Sequence, residues 1–264
     1  MNREATDLAG VRHRTYDTLG STNAEALVLA RAGERGPLWV SAGRQTAGRG
    51  RRGRTWISEP GNLYASLLLS DPGPAARVAE LSFVAALAVR DAIAQQAPVF
   101  APRLAFKWPN DVLLAGEKVA GILIEGEASR SGPATAVIGV GVNCASHPAD
   151  AAFPATDLRA RGADIDPQSL LASLSVALFK RIGQWDRGSG FAGIRTDWLA
   201  AAHEVGATIR INDGGGEQSG RFAGLDPAGR LLLDLADGTR KEITAGDVFP
   251  LTLRPGPCDP VLRG

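Results

Sequence analysis

The stretch Gln45-Thr46-Ala47-Gly48-Arg49-Gly50-Arg51-Arg52-Gly53-Arg54-Thr55-Trp56 concentrates more chemistry than any other part of the chain. Seven consecutive residues, Gly48 to Arg54, hold three glycines and four arginines. Glycine permits φ > 0 and lets the backbone come close to a ligand. Successive backbone N–H groups in such a turn form an anion-binding nest, and guanidinium forks add charge and bidentate reach toward phosphate or carboxylate. Four cations so close together repel one another and forgo packing, so the loop is expected to be mobile until an anion arrives. Taken alone, the stretch suits a small-molecule phosphate site and a solvated, nucleic-acid-touching loop equally well.

Other segments carry further polar groups. Lys107-Trp108-Pro109-Asn110-Asp111 is a turn by composition, flanked by apolar runs, which puts Lys107 at a strand end. Of the 29 basic residues only four are lysines (Lys107, Lys118, Lys180 and Lys241), so a lysine inside a motif hints that a compact ammonium is wanted there. Ser21-Thr22-Asn23-Ala24-Glu25 opens a helix, with Thr22 as cap and Glu25 completing a capping box. The N–H groups exposed at such a helix start can also receive a ligand. Gly121, Gly139 and Gly141 fall inside strands, where the missing side chain indicates close approach by a ligand or another backbone. Cys144 and His147 lie three residues apart, but nothing else supports a nucleophile–base pair. The arginine loop and Lys107 show no nearby acid partner in the sequence, and together they would offset the charge of two anionic reactants.

These groups need a scaffold, and the pattern supplies one. Residues 1–20 read as a strand and turn, and the helix opened at Ser21 ends at Gly33 and Gly36-Pro37. Residues 38–42 form a strand that feeds the arginine loop, and 62–70 form another, broken by Asp71-Pro72-Gly73-Pro74. Residues 75–96 carry one apolar helical face, and 117–125 and 135–143 are strands. A connection over 145–166 holds a short helix around 157–161. Asp166-Pro167 then starts a helix, and another covers about 190–202. From about residue 204 short strands (208–211, 220–225, 229–234, 240–243, 247–249) alternate with Asp/Gly turns, which reads as a small β-barrel. The domains are expected at 1–203 and 204–254, with a disordered tail over 255–264.

Composition narrows the function classes. A chain of 264 residues with 44% apolar and 22% charged residues can bury a full core without disulfides. The net charge of +1 argues against bulk nucleic-acid binding. The two cysteines, Cys144 and Cys258, have neither metal nor disulfide spacing, which fits a reducing compartment. The N-terminus lacks an apolar signal region and no apolar run approaches ~18 residues, so neither secretion nor a membrane span is expected.

Jointly, Ser21-Thr22-Asn23, Gln45 with Gly48-Arg49-Gly50-Arg51-Arg52-Gly53-Arg54-x-Trp56, Lys107-Trp108-Pro109-Asn110-Asp111, Lys118-Val119-Ala120-Gly121-Ile122-Leu123-Ile124-Glu125 and Gly139-x-Gly141-x-Asn143 resemble the biotin protein ligase family in type and order, over about residues 15–253. The resemblance implies an α+β fold: a mixed central sheet with flanking helices like class II aminoacyl-tRNA synthetases, plus a C-terminal SH3-like β-barrel. It implies activation of biotin by ATP to biotinoyl-5′-AMP, with Mg²⁺, and transfer to a lysine of a biotin carboxyl carrier domain of a biotin-dependent carboxylase. Some members also repress genes through an N-terminal DNA-binding module. The Ser-Thr-Asn segment begins at residue 21 here, so a ligase without repressor activity is expected. A cytoplasmic location without DNA or membrane partners is implied as well, with homodimerisation left open.

The resemblance also assigns residues. Lys107 and Arg51 are the expected catalytic groups. Ser21, Thr22, Asn23, Gln45, Gly48, Arg49, Gly50, Arg51, Lys107 and Gly121 would bind biotin. Arg49, Arg51, Arg52, Arg54, Trp56, Lys107 and Asn143 would bind ATP or the adenylate, with Trp56 stacked on adenine and Asn143 hydrogen-bonded to it. Lys118 would add charge nearby or serve structure, and no metal ligands are assigned. Lipoate ligases share the fold and the acyl-adenylate chemistry but lack the Gly-Arg-Gly-Arg-Arg-Gly loop. An RNA-gripping module would call for aromatics interleaved along a basic face, which this chain does not have.

Overall fold

A computed structural model of the chain describes residues 2–8, 10–127, 134–213 and 216–250. The tail expected to be disordered from Pro255, the last residues of the expected barrel domain and Cys258 lie outside the described residues.

Residues 1–20 are not one strand but an antiparallel pair, β1 (Asn2–Leu8) and β2 (Val11–Leu19). The helix α1 (Thr22–Arg31) follows, and it is Ser21 rather than Thr22 that caps it, accepting from the Ala24 N–H at 3.5 Å. Glu25 accordingly closes no capping box and accepts instead from the Tyr16 hydroxyl at 2.9 Å. Strands β3 (Leu38–Gln45) and β4 (Leu63–Ser70) come next, then a 3₁₀ turn over 75–80 leading into α2 (Leu81–Gln96). Thus only the second part of the helix expected over 75–96 is α-helical. Strands β5 (Leu104–Lys107), β6 (Asp111–Leu114), β7 (Glu117–Glu127) and β8 (Thr135–Val142) complete an eight-stranded sheet in the order β1-β2-β3-β4-β8-β7-β6-β5. Only β2 and β3 run parallel, because α1 carries the chain across between them.

The period of two along each strand sorts its side chains onto two faces. Leu63, Ala65, Leu67, Ile138 and Val140 turn toward one face, where they pack with α2, α3 (Pro167–Trp185) and α4 (Phe191–Leu199). Leu68 and Val137 turn to the other and meet Ala26 and Leu27 of α1. Further along the α1 side the outward positions are Ser66, Gly139, Gly141 and Gly121, with Gly121 and Gly141 paired directly across β7 and β8. A sheet face this free of side chains is a trough, and the arginine loop covers it. The short helix expected near 157–161 is replaced by turns, tied by Leu158 N to Asn143 O and Ala160 N to the Asp157 carboxylate.

The last described segment forms a five-stranded antiparallel sheet in the order β12-β11-β10-β9-β13. Its strands are β9 (Thr208–Asn212), β10 (Glu217–Leu225), β11 (Leu231–Asp234), β12 (Arg240–Ile243) and β13 (Asp247–Pro250), close to the strands expected from turn chemistry. Its core of Ile209, Ile211, Phe222, Leu231, Leu233 and Val248 is continuous with that of the larger domain. Trp108 seals the junction by donating Nε1–H to the Gly229 carbonyl at 3.0 Å. Gly229 sits at φ +80, and a Cβ there would stand 2.9 Å from the Phe83 ring, so both conformation and space demand glycine. Phe106 stacks on Trp198 at 5.6 Å, and its backbone bonds Ala201 and His203, which fixes the end of β5 just before Lys107.

Candidate active site

Thr22 donates both its backbone N–H (2.9 Å) and its hydroxyl (3.2 Å) to Gln45 Oε1, while Gln45 Nε2 donates to Ser58 Oγ at 2.9 Å. This explains why Thr22 does not cap the helix: its hydroxyl is committed to β3. Ser66 Oγ lies 2.8 Å from Thr22 Oγ1 and 2.6 Å from Asn23 Oδ1, and Asn23 Nδ2 donates to Glu125 at 2.8 Å. One buried network therefore locks the start of α1 onto β3, β4 and β7. Gly139 is small because the Asn23 amide occupies the space its Cβ would take.

Trp56 lies over the trough. A Cβ on Gly121 would stand 2.7 Å from its ring, and one on Gly141 2.6 Å. The close approach expected at these glycines is thus made by a side chain. The Trp56 indole N–H is buried without a hydrogen-bond partner among the described residues. Beside it a cavity of about 50 Å³ is lined by Thr22, Gln45, Arg49, Gly50 and Trp56.

The arginine loop has acid partners, contrary to the expectation that none lies nearby. Arg49 pairs with Glu125 at 2.9 Å, and Arg54 and Arg52 pair with Asp247 of β13 at 2.8 and 3.6 Å. Arg51 alone among the four makes no ion pair among the described residues; its Nη1 donates to Asn110 Oδ1 at 3.2 Å. Burial pushes the Arg51 guanidinium below its usual range, against Asp247 and Asp111.

Lys107 is not a surface strand end. It is 7% exposed, with its ammonium 3.5 Å from Asp111 Oδ2. Lys118 takes the other oxygen of the same carboxylate at 2.7 Å. Burial drives the Lys107 pKa below the usual lysine range, and Asp111 opposes that. For Asp111, burial alone would raise the pKa, but Lys118 and then Lys107 outweigh it, so the carboxyl titrates below its ordinary value. Lys118 is the more open of the two, its ammonium 5.2 Å from the Trp56 ring and its side chain 24% exposed. Since Asn110 and Asp111 are adjacent, Arg51, Lys107 and Lys118 converge on one turn, with two lysines on its carboxylate and the arginine on its amide.

Asn143 is buried, and its Nδ2 donates to the Thr156 carbonyl at 3.0 Å, which ties the 143–158 segment down. That segment also bridges to Lys118 through Lys118 N to Pro154 O and Thr156 N to Lys118 O. Cys144 and His147 form no pair: His147 Nδ1 is 2.6 Å from Asp157, and burial pushes the Cys144 thiol up to about 12.

Sequence reasoning gave no role to Ser66, Asp111, Glu125 or Asp247. Ser66 carries a usable signal, a hydroxyl between Ala65 and Leu67 in an otherwise apolar strand. Asp111 and Glu125 stand inside quoted motifs. Asp247 has no local signal, because its partners are nearly 200 residues away.

With that geometry established, comparison with known proteins is decisive. The chain is 45% identical over 235 residues to the biotin–[acetyl-CoA-carboxylase] ligase of Paracoccus denitrificans, covering 87% of this chain and 96% of the relative. The chain belongs to the biotin protein ligase family. Residues 22–143 of this ligase match the Biotin/lipoate A/B protein ligase family, and residues 205–249 match the Biotin protein ligase C terminal domain. Its fold superposes on the biotin protein ligase from Aquifex aeolicus in complex with biotin and ATP at a TM-score of 0.75, with 26% identity and coverage of 90% of this chain and 97% of the other. The Leishmania major enzyme in complex with biotinyl-5-AMP aligns at a TM-score of 0.62, with 26% identity and 88% and 98% coverage.

Proposed function

We propose that this ligase joins biotin and ATP to form biotinoyl-5′-AMP and then transfers the biotinoyl group to a lysine of a biotin carboxyl carrier domain. In the first step a biotin carboxylate oxygen attacks the α-phosphorus, and the bond to the β-phosphate breaks to release pyrophosphate. In the second, the neutral amine of the carrier lysine attacks the acyl carbon, loses a proton, and AMP leaves with the electron pair.

The observation that carries this reading is the cluster of cations at the Asn110–Asp111 turn, where Lys107 and Lys118 share the Asp111 carboxylate and Arg51 reaches only the Asn110 amide oxygen. Two anions approach each other only where fixed positive charge outweighs fixed negative charge. The more open Lys118, beside Trp56 and Gly121, is the better placed ammonium for the biotin carboxylate and the attacked phosphorus. Lys107, deeper on the same carboxylate, serves the ATP phosphates, and Arg51 joins it. Thr22, Gln45 and the backbone at Gly48 and Gly50 receive the biotin ring system. Ser21 and Asn23 act by holding the helix start, and Arg49 stands at the mouth. Arg52 and Arg54 exchange Asp247 for phosphate when ATP binds. Trp56 walls the site against adenine, and Asn143 fixes the segment beside it.

A cavity of about 50 Å³ is well short of the ~300 Å³ at which small-molecule sites begin, so Trp56 and the loop must shift to admit biotin. The donor set does not fit a resident metal: no group of three His, Cys, Asp or Glu converges among the described residues, and Asp111 is engaged by two lysines. Mg²⁺ would arrive on the phosphates of ATP, as it does where substrate supplies most ligands. The proposal extends to ligation in the cytoplasm and to no DNA target.

Biotin-dependent ATP–pyrophosphate exchange, followed by label transfer to a carrier domain, tests the two steps separately. Exchange should be lost in Lys118→Met and Lys107→Met. Undiminished exchange in both variants would remove the mechanism.

A further inference from the structure

The Lys107 ammonium is faced by two aromatic rings that come from separate segments of the chain. Its Nζ lies 4.6 Å from the centroid of Phe153 and 5.8 Å from that of Phe249. Phe153 belongs to the segment that docks on Lys118 through Pro154 and Thr156. Phe249 belongs to β13 and stands two residues from Asp247, on the same side of the strand, while Val248 between them turns into the barrel core. One strand of the small domain thus presents a carboxylate to the arginine loop and a ring to the buried lysine.

The ion pair alone does not account for how this ammonium is held. Asp111 gives its nearer contact, 2.7 Å, to Lys118 and leaves Lys107 at 3.5 Å. Beyond that shared carboxylate, Asp247 and Glu204 act on this ammonium through charge without an ion-pair contact among the described residues, and the aromatic faces add stabilisation without competing for the three N–H donors. They also exclude water, and phosphate attraction strengthens where the local dielectric falls.

We propose that Phe153 and Phe249 are positioning residues for Lys107, forming an aromatic cage that keeps its ammonium charged, dry and free to turn toward the phosphates of ATP. This rests on the reading of Lys107 as a phosphate ligand given above. The cage closes only when the 143–158 segment is docked on β7 and the barrel sits on the arginine loop, so phosphate binding is coupled to the seating of both. Held by rings rather than by a tight bidentate pair, Lys107 can exchange partners without a carboxylate competing fully for it.

The test uses the full-length ligase and reads kcat/KM for ATP in biotin-dependent ATP–pyrophosphate exchange. Phe249→Leu and Phe153→Leu keep an apolar side chain but remove the π face; Phe249→Tyr and Phe153→Tyr restore it. The Leu variants should lose about tenfold in kcat/KM for ATP, with KM for biotin unchanged within about twofold, and the Tyr variants should recover most of the loss. Transfer from supplied biotinoyl-5′-AMP to the carrier domain should be unaffected, because no triphosphate takes part. A thermal melt confirms that each variant is folded. Phe249 is only partly buried at the barrel edge, so its pair decides the matter should Phe153→Leu fail to fold. Equal losses in the Leu and Tyr variants would show that shape, not the ring face, is what matters, and would overturn the cage. Wild-type ATP kinetics in the Leu variants, with exchange lost in Lys107→Met, would overturn the cage and leave the ligase reading standing. Full exchange in Lys107→Met would remove the phosphate role of Lys107 and the cage with it.

Discussion

Trp56 rests on glycine as a lid rests on a bare plate, and a single methyl group tests that contact. In Gly141→Ala the new Cβ would stand 2.6 Å from the ring, so Trp56 must leave the trough floor. The backbone at Gly141 does not need φ > 0, so we expect a stability change of less than ~1 kcal/mol but at least a ~tenfold loss of exchange activity. A double-mutant cycle with Trp56→Ala should show strong non-additivity, since both changes act on one contact. A second prediction concerns pH. On the proposed function Lys107 acts as a cation, and burial lowers its pKa, with Asp111 opposing; Lys118, Asp247 and Glu204 are the other charges that face it. Exchange should therefore fall as pH rises at values below the ordinary lysine pKa of 10.5. Lys107→Arg stays charged throughout, so any activity it keeps should show that alkaline limb moved to higher pH. At this scale the sequence revealed which residues cluster, because the motifs sit at strand ends. It did not reveal which side chain satisfies which: Asp111 read as a turn residue, and only the fold shows it serving two lysines.

The arginine loop and β13 are best considered as a pair of elements. Asp247 binds two guanidinium groups of the loop, and Arg52 also donates to the Asn212 carbonyl of β9. Asp247→Asn should release that end of the loop and speed tryptic cleavage after Arg52 or Arg54 several-fold, a measure of local opening, while the global unfolding midpoint moves little. An unchanged cleavage rate would mean that Arg51 and Arg49 hold the loop unaided. Strand positions were legible from turn chemistry, most clearly in the barrel, where Asp/Gly pairs punctuate every strand. The loop's acid partners were not, since like charges predict repulsion unless distant carboxylates are known. Glu125 and Asp247 lie about 75 and 195 residues from their arginines, and no window of sequence brings them together. The turn over 158–162 was misread as a helix for the opposite reason: local propensity favours helix, and the bonds to Asn143 and Asp157 override it.

Across the whole molecule, the two sheets share one apolar core, with Trp108 and Gly229 at the seam. A single cooperative unfolding transition is expected rather than two. Gly229→Ala should destabilise it by about 1–3 kcal/mol, through strain at φ +80 and the clash with Phe83, as read from chemical denaturation. Two separate transitions in the unmutated protein would contradict this. The change in strand length and turn spacing near residue 204 was visible, but the packing across it was not. That comes from Phe106 and Trp198, whose stacking depends on three elements meeting.

Asp111, described above as the shared partner of two lysines, has a further consequence if the proposed function places a reactive acyl phosphate beside it. An amine acylates only through a free lone pair, and the Asp111 carboxylate engages both of these amines, Lys107 at 3.5 Å and Lys118 at 2.7 Å. On the proposed function this pairing would disfavour self-modification there, and a basic complement of 25 arginines and four lysines leaves few decoys elsewhere. We predict that Asp111→Asn, given synthetic biotinoyl-5′-AMP, will carry biotin on Lys118 by mass spectrometry where the unmutated enzyme stays clean.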